Sequence, residues 1–250
     1  MTNPMDLSGK RILVTGASSG IGRACAVLAS QLGAAVVLTG RRAGALDETL
    51  SQMQNVEKHL VVPGDICVSS AIEGLVAASG KLDGFVHAAG IGPMCPVGFV
   101  DEAQVQKVMR TNYFVFLELM KHYSKAKNRN GAFSAVAISS VSALAGWGGV
   151  SVYAGSKGAL SASVRALAME LAPKGIRVNA VCPSNIRTPL YEAGAADMND
   201  EQGLKALKAK QPLGLGEPKQ VANAVCFLIS DAASFITGVN LPVDGGYLAQ

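Results

Sequence analysis

Short apolar runs recur along the chain at 11–15, 35–39, 60–62, 84–87, 134–138, 177–182 and 240–243, and helix-length stretches separate all of them. That alternation predicts β-α-β units, in which parallel strands are joined by right-handed helical crossovers. The runs are apolar at consecutive rather than alternate positions, as in R-I-L-V-T at 11–15, so both faces of the sheet should be covered. The expected architecture is α/β: a doubly wound, seven-stranded parallel sheet with helices on both faces and ligands at the carboxyl ends of the strands. One long stretch, 184–216, breaks the rhythm with Pro189, Pro212 and glycines at 194, 203, 214 and 216. Irregular segments of that length are often lids, and its middle, 200–210, reads as a short helix with charges on one face.

Composition narrows the class. A chain of 250 residues suits one domain, 1–250, and the 49% apolar and 16% charged shares fit a doubly covered sheet. The net charge of +4 is not gathered into a basic run, which argues against nucleic acid. Five cysteines without a Cys-x-x-Cys pair or a nearby His suggest neither a disulfide framework nor a metal site, and a reducing cytoplasm fits them. The first ten residues lack the apolar core of a signal peptide. The longest uncharged stretches, 24–40 and 131–156, are broken by Gly, Ser and Gln and read as buried strand and helix, not membrane spans.

The first apolar run passes directly into T-G-A-S-S-G-I-G, residues 15–22, and then into a helical stretch that starts at Ile21. Gly16 and Gly20 permit a tight turn, Gly22 lets helix approach strand, and the helix N-terminus offers unpaired N–H groups to a pyrophosphate. Between a first strand and a first helix this is the dinucleotide-binding turn of a Rossmann fold. The second run ends L-T-G-R-R, where a site preferring NAD presents an acidic side chain to the adenosine ribose. Gly40 leaves room there, and Arg41 and Arg42, with Ser18 or Ser19, can bond a 2′-phosphate, which favours NADP.

The strand ending I-S-S is followed by Y-A-G-S-K, which puts Tyr153 and Lys157 one helical turn apart on one face. A phenol with a pKa of about 10 is a poor acid–base unless a cation stabilises its phenolate, and Lys157 is placed to do so. Ser140, at the end of the preceding strand, can donate to a substrate oxygen. Together these residues point to hydride chemistry at a carbonyl or alcohol.

The whole set resembles the short-chain dehydrogenase/reductase family, in the one-domain branch that includes 3-oxoacyl-carrier-protein reductases. The matching elements run through nearly the whole chain: T-G-A-S-S-G-I-G, Asp65, Ala88 to Gly90, Asn112, Ser140, Y-A-G-S-K, N-A-V-C-P at 179–183, and T-G-V-N-L-P-V-D-G-G at 237–246. The resemblance implies that Tyr153 protonates the carbonyl and Ser140 orients it. Lys157 would bond the nicotinamide ribose and lower the tyrosine pKa, while Asn112 holds a water that connects Lys157 to solvent. It also implies that Asp65 and Ile66 flank the adenine, that Ala89, Gly90 and Pro183 lie along the cofactor, and that Thr188 and the backbone of Ile186 hold the carboxamide. A homotetramer is implied as well, and 101–125 and 152–172 support it. Tyr113, Phe114, Phe116, Leu117 and Met120, like Leu160, Val164, Leu167 and Met169, spread apolar groups around more than one helix face. Two segments depart from the family pattern: His87-Ala88 stands for Asn-Asn, and Ser184 for Gly after Pro183. His87 is expected to make a structural hydrogen bond. The segment between Asp65 and Asp83 is a few residues short for the family.

Substrate candidates are Ser140, Val141, Ser142, Trp147, Gly149, Tyr153, Met94, Cys95, Tyr191 and Met198. With no arginine aimed at a carboxylate, a neutral ketone or a 3-oxoacyl thioester fits better than a small keto acid, with a sugar, steroid or cyclic ketone as the alternative. Cys95 is expected to be a spectator, because hydride transfer needs no thiol. A competing class is an NADPH-sensing regulator acting through a partner protein. Such a protein is free to lose its catalytic residues, whereas this chain keeps all four.

Overall fold

The computed structural model describes residues 3–194 and 201–250. Among them β1 (Arg11–Thr15), β2 (Ala35–Gly40), β3 (Leu60–Pro63), β4 (Leu82–His87), β5 (Arg129–Ile138), β6 (Ile176–Pro183) and β7 (Asn240–Val243) form one parallel sheet in the order β3-β2-β1-β4-β5-β6-β7. Successive residues alternate between its faces. On one side Ile12, Val14, Val36, Leu38 and Val136 pack with Cys25, Ala26 and Ala29 of α1 (Gly20–Gln31) and with Val221, Val225 and Leu228 of α9 (Pro218–Ile229). On the other, Leu13, Val37, Phe85 and Ala135 pack with Ile72 and Leu75 of α3 (Ser69–Ser79), with α5 (Val115–Tyr123) and with Leu160 and Val164 of α6 (Ser151–Leu171). The second crossover carries α2 (Ala43–Leu50).

β5 starts five positions earlier than its apolar run, where Arg129 pairs with Leu82 before a register shift carries Gly84 to Ser134. Arg129 to Ala132 are polar or small, so hydropathy conceals them, and they isolate the buried Phe133 from the apolar run. The stretch expected as one helix over 101–125 is α4 (Glu102–Met109), a π turn (Arg110–Phe114) and α5. Asp101 caps α4 by accepting from the Gln104 amide at 2.7 Å. Arg110 bridges to Glu118 at 2.8 Å across the π turn. Such turns interrupt the i→i−4 ladder and often mark functional positions. Here the turn places Asn112.

Beyond β6 the chain forms α7 (Pro189–Gly194) and α8 (Glu201–Lys210), so the expected helix over 200–210 is present. Met198 lies outside the described residues. The ends of the 184–216 segment are stapled. Ile186 pairs with Gly216, Arg187 N–H donates to Gly216 O at 2.8 Å, and Gly216 N–H donates to Asn185 O at 3.0 Å. A Cβ on Gly216 would lie 2.5 Å from Ile186 Cδ1, and Gln211 bonds both Asn185 and Gly214. Gly214 and Gly216 therefore belong to a hydrogen-bonded stem that closes the segment at its base.

Candidate active site

The sheet reverses its order between β1 and β4, and a cavity of about 780 Å³ opens at the carboxyl ends of the strands on both sides of that point. Its wall carries Gly16, Ser18, Ser19, Gly20, Ile21, Arg41, Arg42, Asp65, Ile66, Ala89, Gly90, Ser140, Trp147, Tyr153, Lys157, Pro183, Ile186, Thr188 and Tyr191. Two sequence candidates lie off the wall: Asn112 stands behind it, and the buried Ser142 hydroxyl has no partner. Cys95 and Gly149 are also off the wall, where the Cys95 amide donates to Gly149 O at 2.7 Å, and Met94 lines the cavity in their place.

The turn between β1 and α1 is shaped for a phosphate. Gly16 and Gly20 have φ of +65° and +53°, and a Cβ on Gly16 would lie 2.7 Å from the Ala89 nitrogen. A Cβ on Gly22 would meet Gly16 O at 2.2 Å, so helix and turn touch through the missing side chain. No side chain caps α1 at Ser19, which leaves its first N–H groups facing the cavity. Thr188 closes over the turn: a Cβ on Gly20 would lie 3.2 Å from its methyl. The Thr188 hydroxyl accepts from the Tyr191 amide at 3.2 Å and so opens α7. Asp65 accepts from the Cys67 amide at 3.0 Å and lines the end of the cavity beyond β3. A dinucleotide fits this set of donors and close approaches.

Ser140, Tyr153 and Lys157 converge further along. The Ser140 hydroxyl accepts from the Ser142 amide at 3.1 Å, which leaves its proton for the cavity side. Lys157 is 4% exposed, and its ammonium donates to Ile138 O at 2.7 Å and lies 5.7 Å from the Tyr153 ring centre. Burial pushes that ammonium down to about 8. Burial also pushes the Tyr153 phenol above its ordinary value, with the neighbouring Ser140 hydroxyl pulling it back. One ammonium proton goes to the Ile138 carbonyl, burial is the largest influence on the phenol, and Tyr153 holds its proton at neutral pH.

Asn112 works as a clamp. Its amide donates to Ile91 O and to Ser156 Oγ, both at 2.9 Å, and its Oδ1 accepts from the Ile91 amide at 2.9 Å. Ser156 Oγ donates to Tyr153 O at 2.7 Å, so the loop after β4 and the start of α6 are tied through one side chain. A Cβ on Gly90 would lie 3.4 Å from Asn112 Oδ1 and 3.5 Å from Lys157 Nζ. His87 does make a structural bond. Thr15 Oγ1 accepts from the Ala88 and Ala89 amides and therefore directs its own proton to His87 Nδ1, 3.1 Å away. Burial and the nearby Lys157 push His87 down to about 3, so it is neutral.

Among the wall residues that were not sequence candidates are Lys107, Thr111, Lys210 and Tyr247. Lys107 and Thr111 reach the Asp65 end from α4 and the π turn. Tyr247 packs edge-on against Trp147, with ring centres 6.2 Å apart. No local motif marks these positions; tertiary folding brings them in. Among the described residues no group of three or more His, Cys, Asp or Glu could hold a metal ion, and no helix is long and apolar enough to cross a membrane.

A family model described as enoyl-(acyl carrier protein) reductase matches residues 16–248. The chain is 36% identical to the cis-4-hydroxycyclohexanecarboxylate dehydrogenase of Sinomonas cyclohexanicum, over 95% of this chain and 96% of that one. It is 34% identical to a 3-oxoacyl-[acyl-carrier-protein] reductase of Rickettsia felis, over 98% and 99%. A solved structure from Agrobacterium tumefaciens with bound NADP superposes with a TM-score of 0.89 at 33% identity and covers all of both chains.

Proposed function

Because the chain belongs to the short-chain dehydrogenase/reductase family, whose dehydrogenases act on CH–OH groups, we propose that it interconverts a ketone and a secondary alcohol with NADP(H), using Tyr153 as proton donor and acceptor. The observation that carries this reading is one cavity holding the glycine turn, two arginines and the Ser140–Tyr153–Lys157 cluster. When bound there, the nicotinamide supplies or accepts the hydride. Arg41 and Arg42 bind the 2′-phosphate, the first turn of α1 takes the pyrophosphate, and Asp65 and Ile66 border the adenine. Ala89, Gly90, Pro183, Ile186 and Thr188 keep the nicotinamide end in place. Ser140 directs its hydroxyl proton at the carbonyl oxygen, which polarises it, and Tyr153 delivers the proton. Lys157 resupplies Tyr153. Asn112 has both amide protons committed to its clamp, so a water near Lys157 falls to its Oδ1 or to carbonyls of the π turn.

The Trp147–Tyr247 pair walls the far end with aromatic rings, which suits a compact ring ketone or sugar. A 3-oxoacyl thioester is the second reading, favoured by exposed Met94 and Leu190 at the mouth. A screen of NADPH oxidation over cyclic ketones, sugars, steroids and 3-oxoacyl thioesters tests both. Consumption with none of them would leave the regulator class standing.

Protonation of Lys157 sets the pH dependence. Below about 8 the ammonium persists and can resupply the phenol; above it the store of protons is lost. Free-enzyme kcat/KM for reduction is therefore expected to fall as pH rises through about 8, and that for oxidation to rise. His87, neutral down to about 3, adds no step between. A flat profile from pH ~6 to ~9 would remove Lys157 from the proton path.

The lid proposed for the segment 184–216 is formed by α7 and α8, which lie between the staple at Ile186 and the buried Gln211. Hydrogen exchange is expected to show fast amides in α7 and α8 that become protected with NADP+ and a product alcohol, beside amides at 185–187 and 216 that stay protected throughout. Equal protection of α7 and α8 without ligand would make the segment a fixed wall.

Family members act on small molecules and are typically oligomeric, and a homotetramer is the assembly proposed for this chain. Phe116, Met120, Leu160 and Val164 are spent on the core, while Phe114 of the π turn and Met169 of α6 remain exposed. Light scattering is expected to give four chains at micromolar concentration, and a stable monomer would contradict it. Five unpaired cysteines are compatible with a reducing, cytoplasmic setting.

A further inference from the structure

The cavity has cations of two kinds. Arg41 and Arg42 follow β2 on the phosphate side, and Lys107 joins Asp65 at the adenine side. Lys157 is catalytic in the reading above. Lys210 is used by none of these roles, and it lies on the wall at the opposite end, with Trp147, Tyr247 and Leu207. No Asp or Glu among the described residues lines that end.

The location follows from a chain of contacts. Gln211, next to Lys210, is 1% exposed and lies against Gly245, whose Cβ would be 2.9 Å from Gln211 Cγ. Tyr247 follows in the same turn and packs on Trp147. The acid of that turn, Asp244, is spent on the Gly246 and Leu248 amides, at 3.0 and 2.9 Å, and is not on the wall. The base of Lys210 is also fixed. Its carbonyl accepts from Gln250 Nε2 at 2.6 Å, and the Gln211 amide donates to Leu207 O at 2.7 Å. A lysine in the last turn of a helix offsets the helix dipole. Lys208 in the same turn already does that from outside the cavity, so the dipole does not explain why Lys210 faces in.

We propose that the substrate carries a carboxylate: a hydroxy or oxo acid whose reacting carbon lies at Tyr153, whose apolar body lies on the Trp147–Tyr247 wall, and whose anionic end meets Lys210. This rests on the oxidoreductase reading above. It also departs from the neutral substrate that the sequence favours, because folding brings Lys210 to that end of the cavity. The carboxylate is a handle and is not altered. The carbonyl π bond breaks, its carbon gains hydride from the reduced nicotinamide, and its oxygen gains the Tyr153 proton.

Two matched pairs test it with NADPH: 4-oxocyclohexanecarboxylate against its amide, and 5-oxohexanoate against its amide. At least one acid is expected to exceed its amide in kcat/KM by about threefold to fivefold, mostly through KM, the upper end of what an exposed ion pair supplies. Lys210→Met should collapse that ratio towards unity, Lys210→Arg should preserve most of it, and added salt should erode it. Equal use of acid and amide, a ratio that survives Lys210→Met, or reduction of neutral ketones with both acids refused would each overturn the proposal while leaving the reductase reading intact. If no ketone of any kind is reduced, the reductase reading itself fails.

Discussion

Tyr153→Phe is expected to lower kcat for ketone reduction by about a hundredfold to ten-thousandfold, the range that a positioned general acid supplies. Only the hydroxyl is lost. The ring packs on the backbone of the loop after β4, where a Cβ on Gly92 would lie 3.2 Å from two of its carbons, and phenylalanine keeps that contact. Lys157 keeps its bond to Ile138 O and Ser140 its bond from the Ser142 amide, since neither runs through the phenol oxygen. NADPH affinity should therefore stay within about threefold of the parent, because an interaction made only with the reacting oxygen contributes to rate and not to cofactor binding. Steady-state kinetics and a fluorescence titration of NADPH on the same preparation separate the two effects. A Phe variant that keeps most of its turnover would mean that another group supplies the proton.

Exchanging the ribose-side charges should have the next largest effect. Gly40 has no left-handed backbone, and a Cβ there would make ordinary contacts, 3.5 Å to Leu46 Cδ2 and 3.5 Å to Ser18 Oγ. An aspartate can therefore be introduced without strain, beside the position proposed for the 2′-phosphate. Gly40→Asp with Arg41→Ala removes one charge-assisted bond, worth about 1.5 to 3 kcal/mol before desolvation, and adds a like charge that repels phosphate. The ratio of kcat/KM with NADPH to that with NADH should drop by a hundredfold or more, on the order of that energy and the added repulsion combined. Arg42 is left in place because it occupies the N-cap position of α2. Equal efficiency with both cofactors in the unmodified enzyme would show that the arginines do not read the phosphate.

The fold was largely legible because each strand signals itself. Ile12, Leu13 and Val14 must be buried on alternating faces, and a run apolar at every position leaves few architectures besides a doubly covered parallel sheet. The cofactor turn was legible for a related reason: Gly16, Gly20 and Gly22 each avoid a clash or a left-handed strain that any other residue would meet, so the backbone geometry is written in residue identity. Distances in sequence blurred the rest. Lys210 and Tyr247 reach the cavity through the buried Gln211 and the turn at Gly245, a contact between elements that no periodicity reveals. The π turn around Asn112 does not alter the hydropathy pattern, so 101–125 read as one helix. The direction of the Tyr153 shift depends on how deeply the pair is buried, and spacing along a helix does not contain that information.

In the proposed reaction the cavity moves hydride to a carbonyl carbon while Tyr153 supplies the proton. NADPH deuterated at the transferable position of the nicotinamide, mixed with the enzyme and the best ketone of the screen, should yield an alcohol with deuterium on the carbinol carbon from one face only, and Tyr153→Phe should suppress that transfer while still binding the labelled cofactor. Cofactor bound without any label reaching the substrate, across the whole panel of ketones, would contradict the account and place the chain among proteins that bind the dinucleotide without doing chemistry on it.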